Sequence, residues 1–249
     1  MSDSVESNII KALRNGTVPA EGTEKIAVGI EEELDQIESQ LNDVQNGKTD
    51  FKFIIGDYGS GKTFFSTSVR ELGFDKDFVV SSVVISQEAP LHKFEVLYRR
   101  IMDGMRVKDN KNVPAFTFIL EEWLLSIEDK VIDITGLDPD DDRESFREEM
   151  TKQIDLELQV IGAIAASFSS AVRSFYFAKY EGNTALSQAA VAWLKGDKVP
   201  RQYKSELKVT GDVTRENAFE FFRALLHMIQ ATGYNGLLVL FDEVETIQK

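Results

Sequence analysis

Ile30, Leu34, Ile37, Leu41 and Val44 recur at alternating spacings of four and three, which predicts an amphipathic helix ended by Asn46-Gly47. Residues 1–50 as a whole read as mainly helical. Two short apolar runs follow, at 51–55 and 78–85, both rich in aromatic and β-branched residues. Their brevity and composition favour buried strands over helices. Between them, 63–72 reads as a helix closed by Gly73. Strand, loop, helix and strand in that order form the unit from which parallel sheets with helical crossovers are built.

The pattern changes beyond residue 105. Ile119, Trp123 and Ile127 mark one helix, and Ile154, Leu158, Ile161, Ala165, Phe168, Val172 and Phe175 mark a longer one, read as a single packed helix. No strand signal interrupts this stretch, which therefore reads as a helical insertion over 106–212, with 195–213 as a polar connector. Phe219, Phe222, Leu226 and Ile229 define a further helix stopped by Gly233. A third buried-strand run, 236–241, ends in Asp242-Glu243. Four units result: an N-terminal helical segment (1–50), the first part of an α/β core (51–105), the insertion (106–212) and a return to the core (213–249).

Composition narrows the chemistry. With 249 residues and 43% apolar side chains the chain can bury a sizeable core. It has no cysteine, so disulfides, thiolate-bound zinc and thiol catalysis are excluded together. His92 and His227 stand far apart, which argues against a multi-histidine metal centre. The net charge of −14 disfavours indiscriminate nucleic-acid binding. The N-terminus lacks the basic start and apolar core of a signal peptide, and the longest nearly apolar stretch, 160–168, is about half a bilayer span. A cytoplasmic protein without a membrane anchor is expected.

The strongest local signal is Gly56-Asp-Tyr-Gly-Ser-Gly-Lys-Thr63, a full match to G-x-x-x-x-G-K-[ST]. Composition alone would produce such a match in roughly 1% of chains this long. Glycines let successive N–H groups turn inward around phosphate oxygens with no β-carbon in the way. Lys62 places an ammonium on the β- and γ-phosphates, and the Thr63 hydroxyl is suited to Mg²⁺. The helix that starts here directs its positive end at the same anion. The candidate nucleotide-binding set is Gly56, Gly59, Ser60, Gly61, Lys62, Thr63 and Phe64, with ATP and Mg²⁺ as the expected ligands. Asp57 and Tyr58 fill free positions.

Residues 237–243, Leu-Leu-Val-Leu-Phe-Asp-Glu, have the form of a Walker B element: a buried strand delivering two acids at its carboxyl end. Asp242 would hold Mg²⁺ through water, and Glu243 would act as general base. An acid directly after the metal ligand points to NTP hydrolysis more than to kinase or GTPase chemistry. Asp138, Asp140, Asp142 and Glu149 imitate the offsets of a calcium loop, but Arg143 stands where glycine is required and Pro139 interrupts the ligands, so an acidic turn entering a helix is expected. The two tryptophans read as core, the histidines as packing or surface residues, and Arg99, Arg100 and Arg106 as a solvated helix face, with contact to a neighbouring subunit or nucleic acid as the alternative.

With these motifs in view, the chain resembles the ATP-binding proteins of bacteriophage-exclusion (BREX) defence systems, the BrxC/BrxD-type P-loop domain, and is nearest to the BrxD kind. The resemblance rests on residues 12–19 (Ala-Leu-Arg-Asn-Gly-Thr-Val-Pro), 27–34 (Ala-Val-Gly-Ile-Glu-Glu-Glu-Leu), 55–65, 91–98 (Leu-His-Lys-Phe-Glu-Val-Leu-Tyr) and 239–245 (Val-Leu-Phe-Asp-Glu-Val-Glu). It implies an α/β P-loop NTPase core of the AAA+ or ASCE kind, with a parallel sheet and a large helical insertion. It also implies ATP hydrolysis coupled to conformational change, or nucleotide-gated assembly with little turnover, alongside other defence proteins. Homo-oligomerisation and contact with DNA stay open, the latter unsupported by net charge. The family is similar to initiator-type AAA+ ATPases, in which a Val-Gly-Arg-Glu box lies along adenine. Val28 and Gly29 match that box and are adenine-side candidates, whereas Ile30 replaces its arginine. Family members continue past the Walker B strand through a sensor strand, an arginine finger and a helical lid. The resemblance therefore makes the core incomplete at its C-terminus, with the chain the N-terminal part of a longer protein.

Overall fold

A computed structural model of the chain describes residues 4–137 and 140–244. Helix α1 (Val5–Arg14) starts where the Ser4 hydroxyl accepts the Ser7 N–H. A short 3-10 turn at Thr23–Lys25 precedes α2 (Glu31–Gln45), whose buried positions Ile37 and Leu41 belong to the expected stripe. Then come α3 (Lys62–Asp75), β1 (Val79–Val84), α4 (Phe94–Gly104) and the two-residue strand β2 (Met105–Arg106).

The helical middle follows as α5 (Phe116–Thr135), α6 (Arg143–Ile164), α7 (Ala166–Tyr180), α8 (Thr184–Leu194) and α9 (Arg201–Glu206). Helix α10 (Ala218–Ala231) and β3 (Leu237–Asp242) complete the order.

Among the described residues the sheet has three strands in the order β2-β1-β3. β1 and β3 are parallel and in register from Val79 opposite Leu237 to Val84 opposite Asp242. β2 is antiparallel to β1, with Val80 opposite Arg106, so the sheet is mixed rather than wholly parallel. Alternation along the strands sorts the two faces. Val80, Leu238 and Leu240 pack with Phe65, Val69 and Phe74 under α3 and α2. Val83, Ile85, Leu237 and Val239 pack with Leu97 and Ile101 of α4 on the other face.

Residues 51–55 depart from expectation, because they form no strand. The segment instead returns along α2, held by Lys52 Nζ on Gln36 Oε1 (2.7 Å) and Gln40 Nε2 on Asp50 Oδ2 (2.8 Å). A strand needs a ladder, and no described strand pairs with residues 51–55. Phe51, Phe53 and Ile55 are consequently 79%, 74% and 94% exposed.

The largest core lies in the helical middle. Trp123, Phe168, Trp193 and Phe221 are all buried there, with Phe221 stacked edge-on against Phe168 and tilted against Trp193. The long stripe expected as one helix is two, broken at Ala165 (φ −145°, ψ 88°). The stripe continues across the break because Ala165 is itself buried and both helices face the same core. The stretch read as a connector contains α9. In α10 the buried face is Phe221, Ala224, Leu225, Met228 and Ile229, whereas Phe219, assigned to the apolar stripe, is 61% exposed and leans on Phe94.

Gly73, expected to end α3, lies inside it. A β-carbon there would stand 2.7 Å from Leu238 Cδ2 and 3.0 Å from Val80 Cγ2, so the glycine lets α3 approach the sheet. Gly104 is tighter still, because its β-carbon would meet the Ser82 carbonyl at 2.8 Å and the Ser81 hydroxyl at 2.6 Å. That hydroxyl is held by the Ile101 carbonyl at 2.8 Å. Gly104→Ala is therefore expected to destabilise the chain by about 1–3 kcal/mol, read as a lowered urea midpoint at unchanged slope.

Candidate functional site

The loop at 56–61 is shaped by its glycines and by Lys62. Gly59 and Gly61 have φ of 80° and 88°, the left-handed region open to glycine, and Gly61 caps the start of α3. A β-carbon at Gly56 would stand 2.4 Å from Ser60 Oγ, so glycine permits the loop to close on itself. The turn is pinned by Ser60 N–H on the Asp57 carbonyl (3.1 Å). Lys62 Nζ reaches back over it and donates to the carbonyls of Gly56 (2.7 Å) and Asp57 (2.9 Å). Thr63 is exposed in the first turn of α3, Phe64 is half-buried and Phe65 enters the core. Tyr58 projects fully into solvent.

The acid pair ends β3. The Asp242 carbonyl accepts the Ile85 N–H at 2.9 Å, which locks the strand end to β1. Its carboxylate accepts the Glu243 N–H at 2.8 Å, and Glu243 turns out of the strand with φ of 56°. Such a φ is uncommon for a residue with a side chain, and here a local carboxylate hydrogen bond accompanies it.

Packing relates the two motifs. The C-terminal half of α3 lies over Leu238 and Val80 at Gly73, near the amino ends of the strands. From Gly73 back to Lys62 is about 16 Å of helix, and from Leu238 forward to Asp242 is about 13 Å of strand. The short link from α3 to β1 and the burial of Phe65 and Val69 against the sheet lay α3 antiparallel to the strands, which directs Lys62 toward the end where Asp242 emerges. Leu238 and Leu240 face α3, and alternation puts Asp242 on that face too, beside Val84, which is 58% exposed.

Val28 and Gly29 precede α2, whose C-terminal Val44 lies close to Gly236 at the amino end of β3. Val28 is 85% exposed, and no hydrogen bond among the described residues joins it or Gly29 to the loop. The Glu31 carboxyl is held below its ordinary range by its own backbone N–H and by that of Gly29, both at the head of α2.

The remaining candidates separate. His92 and His227 are exposed. Asp142 is the N-cap of α6, and Ser145 lowers its carboxyl through side-chain and backbone hydrogen bonds. Asp138, Pro139 and Glu245 lie outside the described residues. Among the described residues no three His, Asp or Glu side chains converge as a metal site, and no helix is long and apolar enough to cross a membrane.

Sequence reading missed Glu71, whose buried carboxylate fastens the N-terminal segment to α3. It accepts Gly22 N–H (2.8 Å), Thr23 N–H (2.9 Å) and the Thr23 hydroxyl (2.6 Å). No local pattern signals a contact across about fifty residues.

Fold and site together make this a mixed α/β protein in which a glycine-rich loop opens a helix laid against parallel strands. Over residues 1–249 the chain matches the family model described as BREX system ATP-binding protein BrxC/D, and it belongs to that family. The resemblance drawn from the motifs is borne out at this level: the family is one of ATP-binding proteins of BREX phage defence. No curated protein and no solved structure matches the chain.

Proposed function

We propose that residues 56–63 bind the phosphates of ATP, that Asp242 and Glu243 serve Mg²⁺-dependent hydrolysis, and that nucleotide state drives conformational change in a phage-defence assembly. The observation that supports this best is the packing of α3 on Val80, Leu238 and Leu240, which directs Lys62 toward the strand end that carries Asp242. The glycine cradle leaves room for phosphate oxygens, and Lys62 already bends over the loop, where its ammonium can exchange two carbonyl partners for phosphate. Thr63 and Asp242 would hold Mg²⁺, which supplies charge neutralisation on the phosphoryl oxygens. Glu243 would take the proton of the attacking water on a carboxylate oxygen. Val28 and Gly29 would border the adenine.

The test is calorimetric titration with Mg·ATP beside a phosphate-release assay, for the chain and for Glu243→Gln. The variant is expected to bind like the parent and to lose turnover by about a hundredfold or more. Unchanged turnover would remove Glu243 as the base.

A second reading, a nucleotide-gated interaction module with little hydrolysis, is favoured by the exposed apolar strip Phe51, Phe53 and Ile55 directly before the loop. Nucleotide occupancy would then present or withdraw that strip. Tight ATP binding without turnover by the parent chain selects this reading. Gly56→Ala is expected to weaken nucleotide binding under either one, because its β-carbon pushes Ser60 out of the loop, and the same titration measures the loss.

A further inference from the structure

A polar cavity of about 610 Å³ lies on the α3 face of the sheet at its β2 edge, away from the phosphate loop. Its walls are the C-terminal half of α3, the Ala20-Glu21 turn, β1 with β2, and the loop after β2. From Lys62 to Arg70 is about 12 Å along the helix axis, so this space is separate from the loop of residues 56–63.

Four cations line it, Arg70, Arg106, Lys108 and Lys111, against the carboxylates of Glu21, Glu71 and Asp109. Counting Asp75, which pairs with Lys108, cations and carboxylates balance here, on a chain whose net charge is −14. The topology explains how residues so scattered in sequence meet. Arg106 is opposite Val80 in the antiparallel pair, so its side chain shares Val80's face, the one α3 covers. Lys111 is drawn inward over the Phe74 ring, 5.2 Å from its centroid.

The donors are largely uncommitted to acids. Arg106 uses Nη1 on the carbonyls of Asp103 and Met105, both at 2.8 Å, and Arg70 uses Nη2 on the Ala20 carbonyl. Among the described residues neither guanidinium has a carboxylate partner, and of the two lysines only Lys108 has one, Asp75 at 3.3 Å. Glu71 is spent on Gly22 and Thr23. Carbonyl contacts fix the direction of a guanidinium without cancelling its charge, and they leave fork donors free for a planar or tetrahedral oxyanion.

We propose that this cavity is a second anion site that takes a phosphate group, independent of the loop at 56–63. The phosphate could belong to a small phosphorylated ligand or to a nucleic-acid backbone; the recognition chemistry is the same. The probes are inorganic pyrophosphate and a short single-stranded oligonucleotide, titrated into the full chain carrying Lys62→Ala so that the loop is weakened as a competitor. At least one probe is expected to bind, and adding Arg106→Gln with Lys111→Gln is expected to weaken it about tenfold or more. Affinity should fall as salt is raised. Pyrophosphate alone assigns the site to a small ligand; tighter oligonucleotide binding, lost in the same variant, assigns it to a nucleic-acid backbone. Silence with both probes, or binding indifferent to the two substitutions, overturns the proposal. In the background with Lys62 intact, the double variant should keep its ATP affinity and melting temperature, which separates loss of the site from loss of the fold.

Discussion

Lys62→Ala is expected to abolish measurable ATP binding while leaving the unliganded chain as stable as before. The ammonium is the sole cation within the loop sequence, and it would make more than one charge-assisted contact to the triphosphate. Each such bond contributes about 1.5–3 kcal/mol, so losing two weakens binding by at least about a hundredfold. The same nitrogen braces the loop through Gly56 and Asp57, and the alanine variant therefore also loses the preformed turn. Its effect on folding should be small, because the side chain joins none of the apolar clusters. Thermal melts check both halves: Mg·ATP should raise the parent's midpoint through mass action and leave the variant's unmoved. An equal shift in both proteins would take ATP binding away from residues 56–63.

What the sequence could carry was periodic or local. The stripe from Ile30 to Val44, the strand runs at 78–85 and 236–241 and the glycine-lysine loop opening α3 are each readable within a few turns of chain. Phe51, Phe53 and Ile55 have the composition of a buried strand, yet pairing is a property of neighbours, and no described strand pairs with them. The stripe through Ala165 was continuous although the helix was not, because side-chain periodicity reports which face is buried and not whether the backbone turns. Gly73 looked like a stop signal and is a close-packing position instead. In the candidate site, the loop and the acids were legible as separate motifs. Their relation came only from the direction of α3 over the sheet. The cavity beside β2 could not be read at all, since its cations come from α3, β2 and the following loop.

That direction connects fold to function. An α-helix laid antiparallel to parallel strands sends its N-terminus to their carboxyl ends, where strand-borne acids also emerge. Gly73 sets the distance between α3 and the strands, Leu238 and Leu240 fill it, and Asp242 is the next residue on the same face. A shift of α3 along its axis would therefore move Lys62 relative to Asp242 directly. What holds α3 on its outer side then bears on the site, and Glu71 is the main polar tie there.

Glu71→Ala is accordingly expected to be the most destabilising polar substitution in the N-terminal half. It removes an acceptor from two backbone N–H groups and one hydroxyl, and Gly22 and Thr23 are both buried, so these donors are left without a partner. Each stranded donor costs about 1–3 kcal/mol, and a total loss of about 3 kcal/mol or more should appear in urea denaturation. Glu71→Gln should fall between, since its amide oxygen can still accept while its NH₂ confronts a donor. Protection of the Gly22 and Thr23 amides against hydrogen exchange should vanish in the alanine variant before global unfolding. If those amides stay protected and the urea midpoint holds, the N-terminal segment is fastened by something other than this carboxylate, and α3 owes its position to the sheet alone.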